Sequence, residues 1–138
     1  MKRQQWFQSR LWYVATPYSR YPLGKDRAFV DACRATAFLM RGGLKVFCPI
    51  AHSHAVAENG SLDKDNHDFW LDQDLAFWEV SQGMIIVEMP GWKESYGVRE
   101  EIKWFRLNEK PIRYLPWPLA GLDPLRPEKN LQRSPSRA

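Results

Sequence analysis

Apolar residues along the 138-residue chain fall into short β-like runs separated by stretches of helical spacing. Residues 10–16 (RLWYVAT) are rich in β-formers and stop at Pro17, which predicts a first strand. Phe29, Cys33, Thr36 or Ala37, and Met40 recur at helical spacing, and Gly42-Gly43 supplies a stop for that helix. Residues 44–48 (LKVFC) predict a second strand closed by Pro49. The polar stretch 50–65, with Asn59-Gly60 and several Asp, reads as a long loop, and loops of that length often carry function. A second helix fits residues 66–80, with Leu71, Leu75 and Trp78 on one face. Gly83 leads into MIIVEM, the uniform apolar run of a strand buried on both faces. A loop at 90–94 precedes a third helix over about 96–108, and residues 112–115 predict a last short strand.

The order β-α-β-loop-α-β-α-β predicts an α/β fold. It is a three-layer sandwich on a mostly parallel sheet of four to five strands, flavodoxin- or Rossmann-like. Ligands of such sheets lie beyond the carboxyl ends of the strands, here residues 16–19, 48–54 and 89–95. The polar and unusual residues cluster there. After Leu115 come five of the ten prolines and scattered bases, so 117–138 is expected to be an extended tail behind a single domain over 11–116.

Charge changes the picture only by its location. The chain carries a formal +4 and a pI near 9.2, a balance that first suggests nucleic acid. Residues 1–10 hold +3 and residues 117–138 hold +2, which leaves the domain between them at −1. The basicity belongs to the ends, and the core shows no interleaving of aromatic and basic residues. Nucleic acid is therefore not the expected partner.

Two cysteines, Cys33 and Cys48, sit in apolar contexts without a C-x-x-C pair and read as buried thiols of a reducing compartment. LWYVA, the apolar run after the basic start, is too short for a signal peptide or a membrane span. The expectation is a cytoplasmic protein.

Two acids stand out. In the third helix Val98, Ile102 and Phe105 form an inward stripe, and Glu101 occupies a place on it. A buried carboxylate must be paired, protonated or working, since leaving it bare costs several kcal/mol or more. The plainer alternative is an acid complementing the helix N-terminus. Asp74 lies one turn from both Trp70 and Trp78, where partial desolvation would raise its pKa into the range useful for proton transfer. A solvated rim acid is its plainer alternative.

Ser95-Tyr96-Gly97 opens the third helix directly after the buried strand, with an N-cap serine and free amides suited to an anion. No G-x-G-x-x-G or Walker sequence is present. His52 and His54 follow the second strand. With Cys48 and His67 they could form a metal set, but the spacing lacks a second ligand pair, so no metal or cofactor is expected. The two histidines read instead as a pocket wall or a polar loop.

YVATPYS at 13–19, VFCPIAHSHAVA at 46–57, the helix from Trp70 to Leu75, and IIVEMPGWKESYGVREEI at 85–102 together resemble the nucleoside 2-deoxyribosyltransferase-like superfamily. Within it they resemble an uncharacterised bacterial and phage branch, DUF1937-like. The likeness covers roughly residues 11–115. It implies a small-molecule nucleoside or nucleoside monophosphate as ligand and cleavage of the N-glycosidic bond of a 2-deoxyribose. By motif, Glu101 matches the nucleophile and Asp74 the acidic partner near the leaving base. Thr16, Tyr18 and Ser19 match the first-strand loop that contacts the substrate. Ser95 and Gly97 match the helix start that holds a 5′-phosphate, with His52 and His54 on a pocket wall.

The loop 16–21 lacks the glycine-rich form of the phosphate-dependent hydrolases, and Gly91-Trp92-Lys93 lengthens the loop before Ser95. Lys93 could add charge for a phosphate. A second reading keeps the same pocket without catalysis, as a nucleotide-binding or sensing protein. Seven tryptophans, among them Trp6, Trp92, Trp104 and Trp117 near loops, edges or ends, lead to the expectation of a dimer or larger homo-oligomer.

Overall fold

The computed structural model describes residues 10–137, so most of the basic N-terminal extension, Trp6 included, lies outside the described residues. Four strands, β1 (Leu11–Ala15), β2 (Lys45–Phe47), β3 (Gly83–Val87) and β4 (Ile112–Leu115), form one sheet. Their order is β2-β1-β3-β4, and all pairings are parallel. Tyr13 stands opposite both Phe47 and Met84, and Ile86 opposite both Ala15 and Tyr114. β3 is buried at every residue, as its unbroken apolar run requires. At its start, a Cβ on Gly83 would come within 2.6 Å of both the Pro111 carbonyl and the Trp12 ring, so only glycine fits between these neighbours.

The pleat divides the core into two layers. Val14, Ile85, Val87 and Leu115 face α1 (Lys25–Arg41), together with Ile50 and Ala51 of α2 (Pro49–Gly60). Tyr13, Ala15, Met84, Ile86 and Tyr114 face α3 (His67–Val80) and α4 (Tyr96–Leu107) through Trp78, Val98 and Phe105. The molecule is thus the three-layer α/β sandwich expected, with four strands, all parallel.

Three local expectations are corrected. The polar stretch 50–65 is not a long loop: Pro49 sits in the first helical turn, where its missing N–H costs nothing, and α2 runs to Gly60. Only Pro49, His54 and Ala57 of that helix are buried, too few to mark an apolar stripe in the sequence. In α1 the inward face is carried by Ala28, Ala32, Ala35, Phe38 and Leu39, one position off the stripe read from Phe29, Cys33 and Met40. Met40 is exposed and Cys33 only half-buried. Small alanines hide such a face because they carry little hydropathy.

The third correction concerns the C-terminal segment, which is not a free tail. Its backbone pairs with the outer edge of β4, Tyr114 N–H to the Gln132 carbonyl at 2.8 Å and Gln132 N–H to the Tyr114 carbonyl at 2.9 Å. The short α5 (Pro127–Asn130) precedes this bridge. Leu119, Leu122 and Leu131 pack on the α1 layer, and Ser136 donates from its N–H and hydroxyl to the Glu88 carboxylate. An edge that would otherwise be open for pairing is covered by the chain itself.

Lys110 fastens the other layer. Its ammonium donates to the carbonyls of Trp78, Glu79 and Ser81 at 2.7–2.8 Å, where α3 ends and its last acceptors lack partners.

Candidate functional site

β1 lies between β2 and β3, so the chain leaves the sheet in opposite directions on either side of it. A parallel sheet opens a crevice at such a switch point. A cavity of about 370 Å³ lies there, within the roughly 300–1,000 Å³ range of small-molecule sites. Thr16, Tyr18 and Ser19 enter it from the β1–α1 loop, His54 from α2, Asp74 from α3, and Ser95, Gly97 and Glu101 from the start of α4. Eight of the nine residues that the family resemblance assigns to the site therefore converge. The exception is His52, which lies on the exposed side of α2 with its ring 5.8 Å from Phe47.

Glu101 is buried on α4 between Val98 and Phe105, on the stripe that the spacing predicted. The sequence did not reveal its partner. The Tyr13 hydroxyl hydrogen-bonds the Glu101 carboxyl and lies 3.3 Å from Asp74 Oδ2, so one phenol joins two acids from two helices. Tyr13 is sealed from solvent among Phe47, Trp78 and Phe105. A tyrosine inside a continuously apolar strand is expected to be buried, and a buried tyrosine wants a partner for its hydroxyl. That signal alone could have raised it.

Burial dominates the electrostatics of the trio. It pushes Asp74 up to about 7, with the hydrogen bond from Tyr13 pulling the other way. Glu101 is held well above the usual carboxylate range by burial, opposed by the Tyr13 hydrogen bond and reinforced by the Asp74 charge. Burial and then the charges of Glu101 and Asp74 keep the Tyr13 hydroxyl protonated. A desolvated cluster of this kind holds at most one negative charge near neutral pH, shared between its carboxyls.

Ser95 caps α4, its hydroxyl oxygen accepting from the Val98 N–H at 3.3 Å. The Tyr96 and Gly97 amides find no acceptor among the described residues. A Cβ on Gly97 would meet no protein atom within 4 Å, so the space beside these amides is open. Arg20 and Arg99 also line the cavity, and among the described residues neither guanidinium has an ion-pair partner. Lys64, His67 and Trp70 line the cavity too, and of these only Lys64 had no reading attached to it in the sequence. Lys93 is not one of them: it is exposed, with its ammonium 5.7 Å from the Trp92 ring centre.

On the opposite wall the Tyr18 hydroxyl lies 2.6 Å from His54 Nδ1, and His54 Nε2 lies 3.4 Å from Asp26 Oδ1. Phe29 stacks on the imidazole. Among the described residues no three His, Cys, Asp or Glu side chains are grouped to hold a metal ion. Cys48 is buried beside the Thr16 hydroxyl, and burial pushes its thiol up, which suits packing and not nucleophilic attack.

Fold and cavity thus define a parallel α/β protein with a cavity of small-molecule size at the switch point of its sheet. The chain belongs to the family described as "Domain of unknown function (DUF1937)", which matches residues 10–115. No curated protein matches the sequence. Among the described residues no helix is long and apolar enough to cross a membrane.

Proposed function

We propose that this protein cleaves the N-glycosidic bond of a 2-deoxynucleoside or its 5′-monophosphate, as a hydrolase or as a transferase to a second base. The observation that carries the reading is a pair of cavity-lining carboxyls, buried Glu101 and half-buried Asp74, joined through the Tyr13 hydroxyl. The likeness of the motifs to the deoxyribosyltransferase-like superfamily supports the same chemistry. The open amides at the start of α4 and the unpaired Arg20 and Arg99 favour an anionic group, so a monophosphate is the preferred form.

The proton count follows from the trio. Tyr13 has one proton, and it goes to Glu101, its nearer partner, which favours the carboxylate there. Asp74, pushed up to about 7 by burial, is the acid that carries the second proton. Glu101 attacks C1′ through an oxocarbenium-like transition state, the C1′–N bond breaks, and the electron pair leaves with the base. Asp74 gives its proton to the departing base. In the second step Asp74 takes a proton from water, or from an incoming base, which attacks C1′ and frees Glu101.

Base release from a panel of deoxynucleosides and their monophosphates tests the reading. Wild type releases base, and Glu101→Gln binds without releasing it. The burial that raises Glu101 favours a second reading, a non-catalytic nucleotide-binding protein whose neutral carboxyl donates to the ligand. Ligands that raise the melting temperature without any base release would establish that reading instead.

Self-association belongs to the same proposal, although Trp92, Trp104 and Trp117 pack within the chain. Its support is the pair of exposed aromatics near the cavity mouth, Phe69 and Tyr96. A strict monomer by light scattering at micromolar concentration overturns it.

A further inference from the structure

The wall facing α4 has a hydrogen-bond polarity of its own. A neutral imidazole carries one proton and offers one acceptor. With its proton at Nε2, the nitrogen 3.4 Å from the Asp26 carboxylate, the imidazole leaves Nδ1 to accept. Tyr18 must then donate to Nδ1, and at 2.6 Å that proton is committed. Burial, followed by the charges of Asp26, Asp65 and Glu58, pushes Tyr18 up to about 12, so its oxygen remains a neutral hydroxyl with lone pairs free. Phe29 on one face of His54 and the edge of Tyr18 beside it fix the imidazole in this orientation.

Ser53, next to His54 on α2, repeats the arrangement. Its hydroxyl donates to the Pro49 carbonyl at 2.7 Å, four residues back along α2, and its oxygen also lines the cavity. Two hydroxyls on one wall have therefore spent their protons on the protein. Of the cations lining the cavity near this wall, Lys64 is paired with Glu58, whereas Arg20, two residues from Tyr18, has no ion-pair partner among the described residues. Across the cavity the Tyr96 and Gly97 amides are donors without acceptors. The hydroxyls of the first wall accept, and the amides of the second donate.

We infer that the cavity selects a ligand with hydrogen-bond donors at one end and an anionic group at the other: a nucleotide whose base carries an amino group, read by the oxygens of Tyr18 and Ser53, in preference to its oxo counterpart. The inference rests on the proposed nucleotide ligand and adds the class of base. An oxo group set against these oxygens leaves two acceptors facing each other. An amino group in the same place gives each a partner.

The test compares ligand pairs that exchange the amino group for an oxo group, together with the proton on the ring nitrogen beside it. These are deoxycytidine against deoxyuridine 5′-monophosphate, and deoxyadenosine against deoxyinosine 5′-monophosphate. Calorimetry on the full chain carrying Glu101→Gln removes interference from turnover, and melting shifts of wild type with the same four ligands check the ranking. The amino member of each pair is expected to bind about tenfold tighter, the usual consequence of one unmatched buried acceptor. Adding Tyr18→Phe is expected to bring the ratio close to one. Equal affinities within both pairs, or a preference that survives Tyr18→Phe, overturn the inference and leave the glycosidic reading standing. If no nucleotide binds or shifts the melting temperature, both fall together. A poorly folding Tyr18→Phe chain would not rescue the inference, because the wild-type ranking decides it.

Discussion

The Tyr13 hydroxyl meets the Glu101 carboxyl across 88 positions of sequence, and solvent reaches neither residue to any useful extent. Tyr13 also lies 3.3 Å from Asp74, so its single proton decides which acid is charged. Tyr13→Phe removes that decision while keeping the ring and its packing. Base release is expected to fall by about 10²–10³-fold, the cost typical of losing one preorganised donor. The pH profile distinguishes this from a folding defect. Without the hydrogen bond that now pulls Asp74 down, the limb governed by Asp74 moves to higher pH. An unchanged profile would contradict the role given to Tyr13.

Asp74 ties the site to stability. Its carboxyl titrates near 7 in the folded chain, against an ordinary value of 3.8. The folded state therefore holds the proton more tightly than the unfolded state. That contribution is fully present below pH 3.8 and is lost as pH rises through 7, where burying the charge is a pure cost. Asp74→Asn removes the titration. The variant is expected to exceed wild type at pH 8 by on the order of 1–3 kcal/mol, with the gap shrinking toward pH 4.5. Urea melts at the two pH values measure it. A gap independent of pH would mean that Asp74 is solvated.

The sequence made parts of this site plain and left others dark. Glu101 was legible because an acid on a stripe of Val98 and Phe105 conflicts with its surroundings, and a local conflict can be seen locally. β3 was legible because burial on both faces demands an unbroken apolar run. Tyr13 was not. Its place in an apolar strand tells that it is buried, but its partners stand 61 and 88 residues away on helices whose packing only the sheet order decides. α2 was missed because Pro49 was read as ending a strand when it also begins a helix. Its buried residues form no stripe. His52 and His54 were grouped as neighbours, yet on a helix two positions apart are about 200° apart, so one faces the cavity and the other faces solvent.

The C-terminal segment offers a test of the corrected boundary. Leu122 and Leu131 pack on the α1 layer, and the bridge at Gln132 covers the edge of β4. Replacing both leucines by alanine is expected to cost on the order of 2–4 kcal/mol, less than two full core truncations because each is only half-buried. A freely extended tail would make the double variant neutral in a urea melt. The same measurement therefore decides whether residues beyond Leu115 belong to the folding unit.

Gly97 separates folding from ligand binding most cleanly. It lies in the first turn of α4, and a Cβ there meets no protein atom within 4 Å. Alanine also has a higher helix propensity than glycine and less freedom to lose on folding. Gly97→Ala is thus expected to keep or raise stability, by up to about 1 kcal/mol. The added methyl occupies the open space beside the Tyr96 and Gly97 amides, where an anionic group would approach. Nucleotide affinity should fall by about tenfold or more, since a backbone approach that only glycine permits is blocked. Monophosphates should lose more than the corresponding nucleosides, because the methyl stands at the donor wall. A variant that melts at or above the wild-type temperature and binds both forms as wild type does would take the start of α4 out of the binding site.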